Sequence, residues 1–186
     1  KSSDYDFKIF SYLNKESVEN KSVIRELRYG ENPHQKGRFI GDLKDYLIQL
    51  NGKEISYNNL LDIDASLDLL RDLDSTKAVF LIHKHNNPCG VAIRDSITEA
   101  YEDALACDNV SAFGGVLTSN KKIDKKTADQ INKLFFEILI APDFDEDALN
   151  ILKSRKNRIL IKLNEIPIKN IQKRSCLNGF LEQDID

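Results

Sequence analysis

The chain contains no methionine and no tryptophan, and its 186 residues include only four prolines and three cysteines. Cys89, Cys107 and Cys176 are odd in number and far apart, with no Cys-x-x-Cys pair. That spacing argues against a disulfide framework or a structural zinc site, and the compartment it fits is a reducing cytoplasm. Long apolar runs are also missing. None approaches the roughly 20 residues of a membrane-spanning helix, and no signal-peptide pattern opens the chain, so no membrane partner is expected. Neither sign of charge dominates. The formal net charge is −3, which argues against a general nucleic-acid binder, and an anionic ligand would need local cations. A chain that starts at Lys1 and lacks methionine reads as part of a longer polypeptide. The 41% hydrophobic and 31% charged residues that are present suit a globular protein with one sizeable core.

Residues 1–25 are polar, with a weak alternation of Tyr5, Phe7 and Ile9, and read as a linker or peripheral extension. Gly30, Pro33 and Gly37 make 26–38 a structured loop. Tyr46–Leu50 is a strand candidate, and Asn51-Gly52 after it has the form of a hairpin turn. Leu60, Ile63, Leu67 and Leu70 recur at helical spacing, with Asn59 placed as the N-cap. The run Ala78–Ile82 is short, continuous and apolar, as in a strand buried on both faces. Ser96-x-x-Glu99 is a capping box opening a helix to about Cys107. A strand over Gly114–Thr118 follows, then a helix capped by Asp124 and running to Phe136. A strand over Glu137–Ala141, a helix over 145–153 and a strand over Arg158–Leu163 complete the pattern. This alternation predicts a layered α/β sheet with helices on its faces, in one domain after about residue 26.

Four segments concentrate polar or special-backbone residues at element ends. They are Leu27-Arg28-Tyr29-Gly30-Glu31-Asn32-Pro33-His34-Gln35, Ser56-Tyr57-Asn58-Asn59-Leu60-Leu61-Asp62, Lys84-His85-Asn86-Asn87-Pro88-Cys89-Gly90 and Ser111-Ala112-Phe113-Gly114-Gly115. The third matters most. It places a fixed cation beside an imidazole at the carboxyl end of a buried strand, the end where ligands bind in an α/β sheet. Pro88 and Gly90 then read as a turn. Each residue also has a plain structural reading: Arg28 as a surface charge, Tyr29 as packing with a wet hydroxyl, Asn59 as a cap, Gly114 and Gly115 as turn glycines. His83 is expected to point opposite to Lys84 by strand alternation, and His34 either lines the site or is structural. Pro88-Cys89 after His83 and His85 echoes the zinc nucleobase deaminases. The glutamate of their His-x-Glu is missing, however, and Ala92 stands where their second cysteine belongs, so no zinc is expected.

In this order the four segments resemble the transformylase region of the family of bifunctional purine-biosynthesis enzymes. These join 5-aminoimidazole-4-carboxamide ribonucleotide formyltransferase to inosine-monophosphate cyclohydrolase. Glu137-x-x-Ile140-Ala141-Pro142-Asp143-Phe144 and Arg174-Ser175 extend the likeness, which spans about 26–183. Asn86 in place of a common Thr, and Phe180 in the usual Gly-Gly-Leu, are small departures.

The resemblance implies a three-layer α/β/α, cytidine-deaminase-like lobe with a mixed sheet and no zinc. It makes 26–186 the first transformylase lobe, with the cyclohydrolase domain before Lys1 and a second lobe after Asp186. It implies transfer of a formyl group from the cosubstrate 10-formyltetrahydrofolate to the ribonucleotide amine, in a cytoplasmic homodimer. His85 becomes the candidate proton acceptor. Lys84 becomes the cation near the phosphate, the oxyanion or the leaving group. Arg28 is matched to the 5′-phosphate, with Tyr29 beside the ribonucleotide. Asn59, Gly114 and Glu137 are matched to the nucleotide's polar edge and Phe113 to the folate, with Asn87 and Ser111 as weaker candidates. On that basis this chain alone is expected to be nearly inactive. The alternative is a non-catalytic nucleotide- or anion-binding module that uses Arg28 and Lys84.

Overall fold

The computed structural model describes residues 23–73 and 75–185. The reading of 1–25 as a linker therefore falls almost wholly outside the described residues. The chain divides into two compact units. Among the described residues, one comprises 25–39 and 43–166, and the other 23–24, 40–42 and 167–185.

The larger unit is built on a six-stranded mixed sheet. In chain order its strands are β3 (Leu47–Asn51), β4 (Ala78–Lys84), β5 (Asn87–Arg94), β6 (Val116–Ser119), β7 (Ile138–Ala141) and β8 (Ile159–Leu163). Their order across the sheet is β3-β8-β7-β6-β4-β5. β6, β7 and β8 are mutually parallel, while β4 runs antiparallel to both β5 and β6, and β3 antiparallel to β8. Upstream, β1 (Ile24–Leu27) and β2 (Gly37–Ile40) form a two-stranded ribbon.

Helix α1 (Tyr57–Leu73) covers one face through Ile63, Leu67 and Leu70, packed on Val79, Leu81, Ile138 and Ile161. The other face carries α2 (Ile97–Cys107), α3 (Lys125–Ile131) and α4 (Glu146–Lys153) over Phe80, Ile82, Leu117, Leu139 and Leu160. The result is the three-layer α/β/α arrangement. It explains why β7 and the first five residues of β4 read as unbroken apolar runs: both faces are covered, so nothing alternates with water. Each fully buried Leu, Ile or Phe contributes about 1.5–3 kcal/mol. The few buried hydroxyls are paired, Ser66 with Thr118 between α1 and β6, and Thr98 with Thr127 between α2 and α3.

The element order from Ala78 to Leu163 is as the sequence pattern predicts, and Ser96 and Asp124 cap their helices through the amides of Glu99 and Thr127. Several local expectations are corrected. Asn51-Gly52 does not make a hairpin, because the chain after it runs into α1 at Tyr57 instead of returning as a strand. Gly52 adopts φ +104 where the chain passes tightly over Arg158, and a side chain there would strike the Arg158 carbonyl. Helix α3 stops at Ile131 rather than Phe136, as Lys133 and Leu134 close i→i+3 turns. Gly114 and Gly115 lie in a turn before β6 rather than in the strand.

In the smaller unit, β9 (Ile171–Cys176) and β10 (Gly179–Asp184) form an antiparallel hairpin, with Cys176 opposite Gly179. The β9 side chains are all exposed. With no apolar alternation to mark it, this hairpin has no counterpart among the predicted elements.

Candidate functional site

A cleft of about 700 Å³ opens at one end of the sheet. The registers show why it forms there. His83 lies opposite Val116, Val116 opposite Ile138, Ile138 opposite Ile159, and Asn51 opposite Leu160. β3 and β4 therefore end at the edge where β6, β7 and β8 begin. Segments far apart in sequence converge on that edge. The Lys-His pair does sit at a strand's carboxyl end, but at the amino ends of the parallel strands. That is opposite to the end the rule for parallel sheets assigns.

The turn between β4 and β5 is His85-Asn86, since Lys84 pairs with Asn87. Both residues are left-handed, with φ of 53° and 62°, the arrangement of a type I′ hairpin. The turn expected to begin at Pro88 thus begins three residues upstream. Pro88 sits opposite His83 at an irregularity on the edge strand, where a missing N–H is tolerated. Gly90 is needed within β5 because a Cβ there would collide with the Ala104 carbonyl. A non-glycine residue in a sparsely populated backbone region costs on the order of 1–3 kcal/mol. The Asn86 amide donates to Asp62 Oδ1 at 2.6 Å, and Asn87 Nδ2 donates to the His85 carbonyl at 2.8 Å. Lys84 Nζ donates to the Phe113 carbonyl at 2.7 Å, which ties the hairpin to the Gly114 turn and leaves the ammonium further donors.

Asn59 is not the N-cap. Ser56 takes that role, its Oγ accepting from the Asn59 amide while Asn59 Oδ1 accepts from the Ser56 amide, both at 3.2 Å. Both residue types cap helices, so the sequence alone did not distinguish them. Asn59 Nδ2 then donates to Glu137 Oε2 at 3.2 Å, and Lys53 Nζ lies 3.5 Å from the same oxygen. The Glu137 backbone is pinned by its amide to the Gly115 carbonyl and by its carbonyl to the Ile159 amide. Gly114, at φ +75, donates its own amide to the Phe135 carbonyl at 2.8 Å.

Arg28 and Tyr29 enter from the loop after β1, with the guanidinium 5.7 Å from the Tyr29 ring centre. Asn58 Nδ2 donates to the Glu31 carbonyl and fastens this loop to α1. Neither Arg28 nor Lys84 pairs with a carboxylate among the described residues. The amino end of α1 faces the same space, and its field favours an anion.

The structure thus brings Arg28, Tyr29, Asn59, Lys84, His85, Gly114 and Glu137 to one cleft. Asn87, Ser111 and Phe113 are not among its walls. Phe113 is 58% exposed and stacks on Phe135 at 4.9 Å. Ser111 donates its amide to Asp108, whose carboxyl it holds below the usual range. His34 is exposed and outside the cleft. Lys53 and Asp62 line it without having been singled out. Lys53 follows a turn with no motif around it. Asp62 carried a signal, since 58, 59 and 62 share one helix face.

His83 is buried, on the α1 face by alternation with Val79 and Leu81, and its Nδ1 has no partner among the described residues. Burial lowers its pKa, against a smaller upward pull from Asp62. Burial likewise raises the Cys89 thiol, which donates to the Ile82 carbonyl. Among the described residues no three His, Cys, Asp or Glu side chains gather as a metal site would require.

Comparison with known proteins accords with this constellation. A family model described as AICARFT/IMPCHase bienzyme matches residues 1–186. The bifunctional purine biosynthesis protein PurH of Bacteroides thetaiotaomicron is 52% identical over 100% of this chain and 37% of its own length. The proteins of that name from Petrotoga mobilis and Thermoanaerobacter sp. are 41% and 43% identical over 98% of the chain. The chain spans 37–38% of these relatives' length. With a match along its whole length, the chain belongs to the AICARFT/IMPCHase bienzyme family.

Proposed function

We propose that the cleft binds 5-aminoimidazole-4-carboxamide ribonucleotide and that, in the intact protein, it directs formyl transfer to that nucleotide's amine from 10-formyltetrahydrofolate. The observation that carries this reading is the cleft edge itself. There, two cations without carboxylate partners among the described residues, Arg28 and Lys84, converge with the His85 imidazole. Family membership supports it, as does a cleft size suited to a nucleotide.

The amine is a weak nucleophile, its lone pair delocalised into the ring and carboxamide. As its nitrogen bonds to the formyl carbon, His85 accepts the amine proton. The carbonyl oxygen becomes an oxyanion, the bond from carbon to the folate nitrogen breaks, and that nitrogen takes a proton. Lys84, oriented by the Phe113 carbonyl, supplies positive charge to one of the oxygens or to the leaving group. Arg28 holds the 5′-phosphate in a charge-assisted pair, with Tyr29 beside the ribose. Asn59, Gly114 and Glu137 meet the polar edge, and exposed Phe113 faces the pteridine. Asn87 acts through the His85 carbonyl it holds, and Ser111 through the Asp108 turn.

In this reading 26–186 is one cytidine-deaminase-like lobe without the deaminase zinc, working in a cytoplasmic homodimer. The cyclohydrolase domain and a second lobe complete the enzyme, and this chain alone transfers almost no formyl group. The test is His85→Ala in the intact protein. Turnover should fall by about 10²–10⁴-fold, the usual worth of a general base, while ribonucleotide affinity largely survives. Unchanged turnover would remove His85 from the mechanism, and absence of folate binding by the wild type would favour a non-catalytic nucleotide module.

A further inference from the structure

We propose that Asp62 is a positioning residue which, by accepting the Asn86 amide, holds the left-handed turn that presents Lys84 and His85 to the cleft. The inference rests on the formyl-transfer reading for its activity test, but its structural basis is independent of it. Two adjacent non-glycine residues, His85 and Asn86, hold φ of 53° and 62°. Asn tolerates that region and His does so less readily, so the turn needs support from outside itself. Within the hairpin that support is slight: Asn87 Nδ2 reaches the His85 carbonyl from an exposed position. Lys84 Nζ ties the adjoining strand end to the Phe113 carbonyl, but the contact that reaches the backbone of the turn itself from another element is the 2.6 Å bond from the Asn86 amide to Asp62 Oδ1 on α1. A carboxylate accepting a backbone amide makes a stronger bond than a neutral acceptor.

Asp62 is also placed to transmit position rather than only to anchor. It lies one helical turn beyond Asn58 and Asn59. Asn59 holds Glu137, and Asn58 holds the carbonyl of Glu31 in the loop that carries Arg28. One face of α1 thereby contacts the Arg28 loop, the Glu137 carboxylate and the Lys-His turn. Asp62 lines the cleft itself, yet its Oδ1 is committed to the protein backbone. A residue that only bound ligand would have no reason to be.

The experiment compares Asp62→Ala, Asp62→Asn and the double variant Asp62→Ala/Asn86→Gly in the intact protein. Asp62→Ala should lower kcat by about ten- to a hundredfold, the range set by losing one charge-assisted hydrogen bond in the reacting arrangement. The KM for the ribonucleotide should move by no more than about threefold, a shift under 1 kcal/mol. Asp62→Asn keeps an acceptor oxygen and should recover most of the rate. The double variant should recover part of it, because glycine adopts the left-handed turn without the tether. The amide proton resonance of Asn86 should move upfield in Asp62→Ala whatever the activity. Wild-type kcat in an active, folded Asp62→Ala protein overturns the inference. So does an unmoved Asn86 resonance, or a loss that neither the Asp62→Asn variant nor the added Asn86→Gly change relieves. Lack of formyl transfer by the wild type counts instead against the proposed function, and the amide resonance then decides the tether alone.

Discussion

Where β6, β7 and β8 finish, polar groups are spent on one another. Asn120 Oδ1 accepts the Val79 amide at 2.7 Å, and its Nδ2 donates to the carbonyls of Ser75 and Lys77. Lys122 pairs with Asp145, and Lys162 with Asp143. Where the same strands begin, Lys53 and Asn59 share Glu137, but part of the polar inventory is left over. Among the described residues Arg28 and Lys84 have no carboxylate partner, and His85 and Asn86 sit in left-handed backbone. One sheet thus has a satisfied end and an unsatisfied end. The satisfied end adds stability without ligand chemistry. The other holds strain and unpaired charge, which a folded chain tolerates only where the surrounding core over-determines them.

The contrast can be broken from the strained side first. His85→Gly should abolish most turnover, by about 10²–10⁴-fold. It should leave the protein as stable as wild type, or more stable by up to about 1 kcal/mol, because glycine relieves the left-handed backbone. Activity assays beside urea unfolding check this, and a large loss of stability would mean that the turn is not strained.

The satisfied side should answer in the opposite way. Asn120→Ala removes three hydrogen bonds and orphans the amide of Val79, a fully buried residue. Unfolding free energy should fall by about 2 kcal/mol, with ribonucleotide affinity unchanged in a titration.

A smaller effect concerns His83, beneath the turn. Its folded pKa lies below the 6.5 of an unperturbed imidazole. The native state therefore stays neutral while the unfolded chain takes up a proton. The stability that this neutral form contributes is complete above about pH 6.5 and is lost as the pH falls through and below it, at no more than about 1.4 kcal/mol per unit. His83→Leu should make that acid limb shallower, read from denaturant titrations at pH 7 and pH 5.

Much of this was legible in the residues. The buried runs at β4, β7 and β8, the caps at Ser96 and Asp124, and the order of elements from Ala78 to Leu163 all follow from periodicity and capping chemistry. The polar segments around Arg28, Asn59, Lys84 and Gly114 also reach the cleft. What stayed hidden has physical causes. A left-handed His-Asn turn has none of the glycine that usually marks one, so Pro88 and Gly90 drew the turn downstream. Strand direction is a tertiary property, so nothing local says that β4 opposes β6. Lys53 acts through a pairing with Glu137, far along the chain. Asp62 sat inside a recognised segment, but its role depends on the amide of Asn86, which only the fold brings near.

The most direct test is a crystal structure of the intact protein with the ribonucleotide bound. The phosphate should lie within hydrogen-bonding distance of Arg28, with the base edge between the His85-Asn86 turn and Glu137. A nucleotide seated at the Asn120 end of the sheet, or touching none of Arg28, Lys84 and His85, would contradict the account.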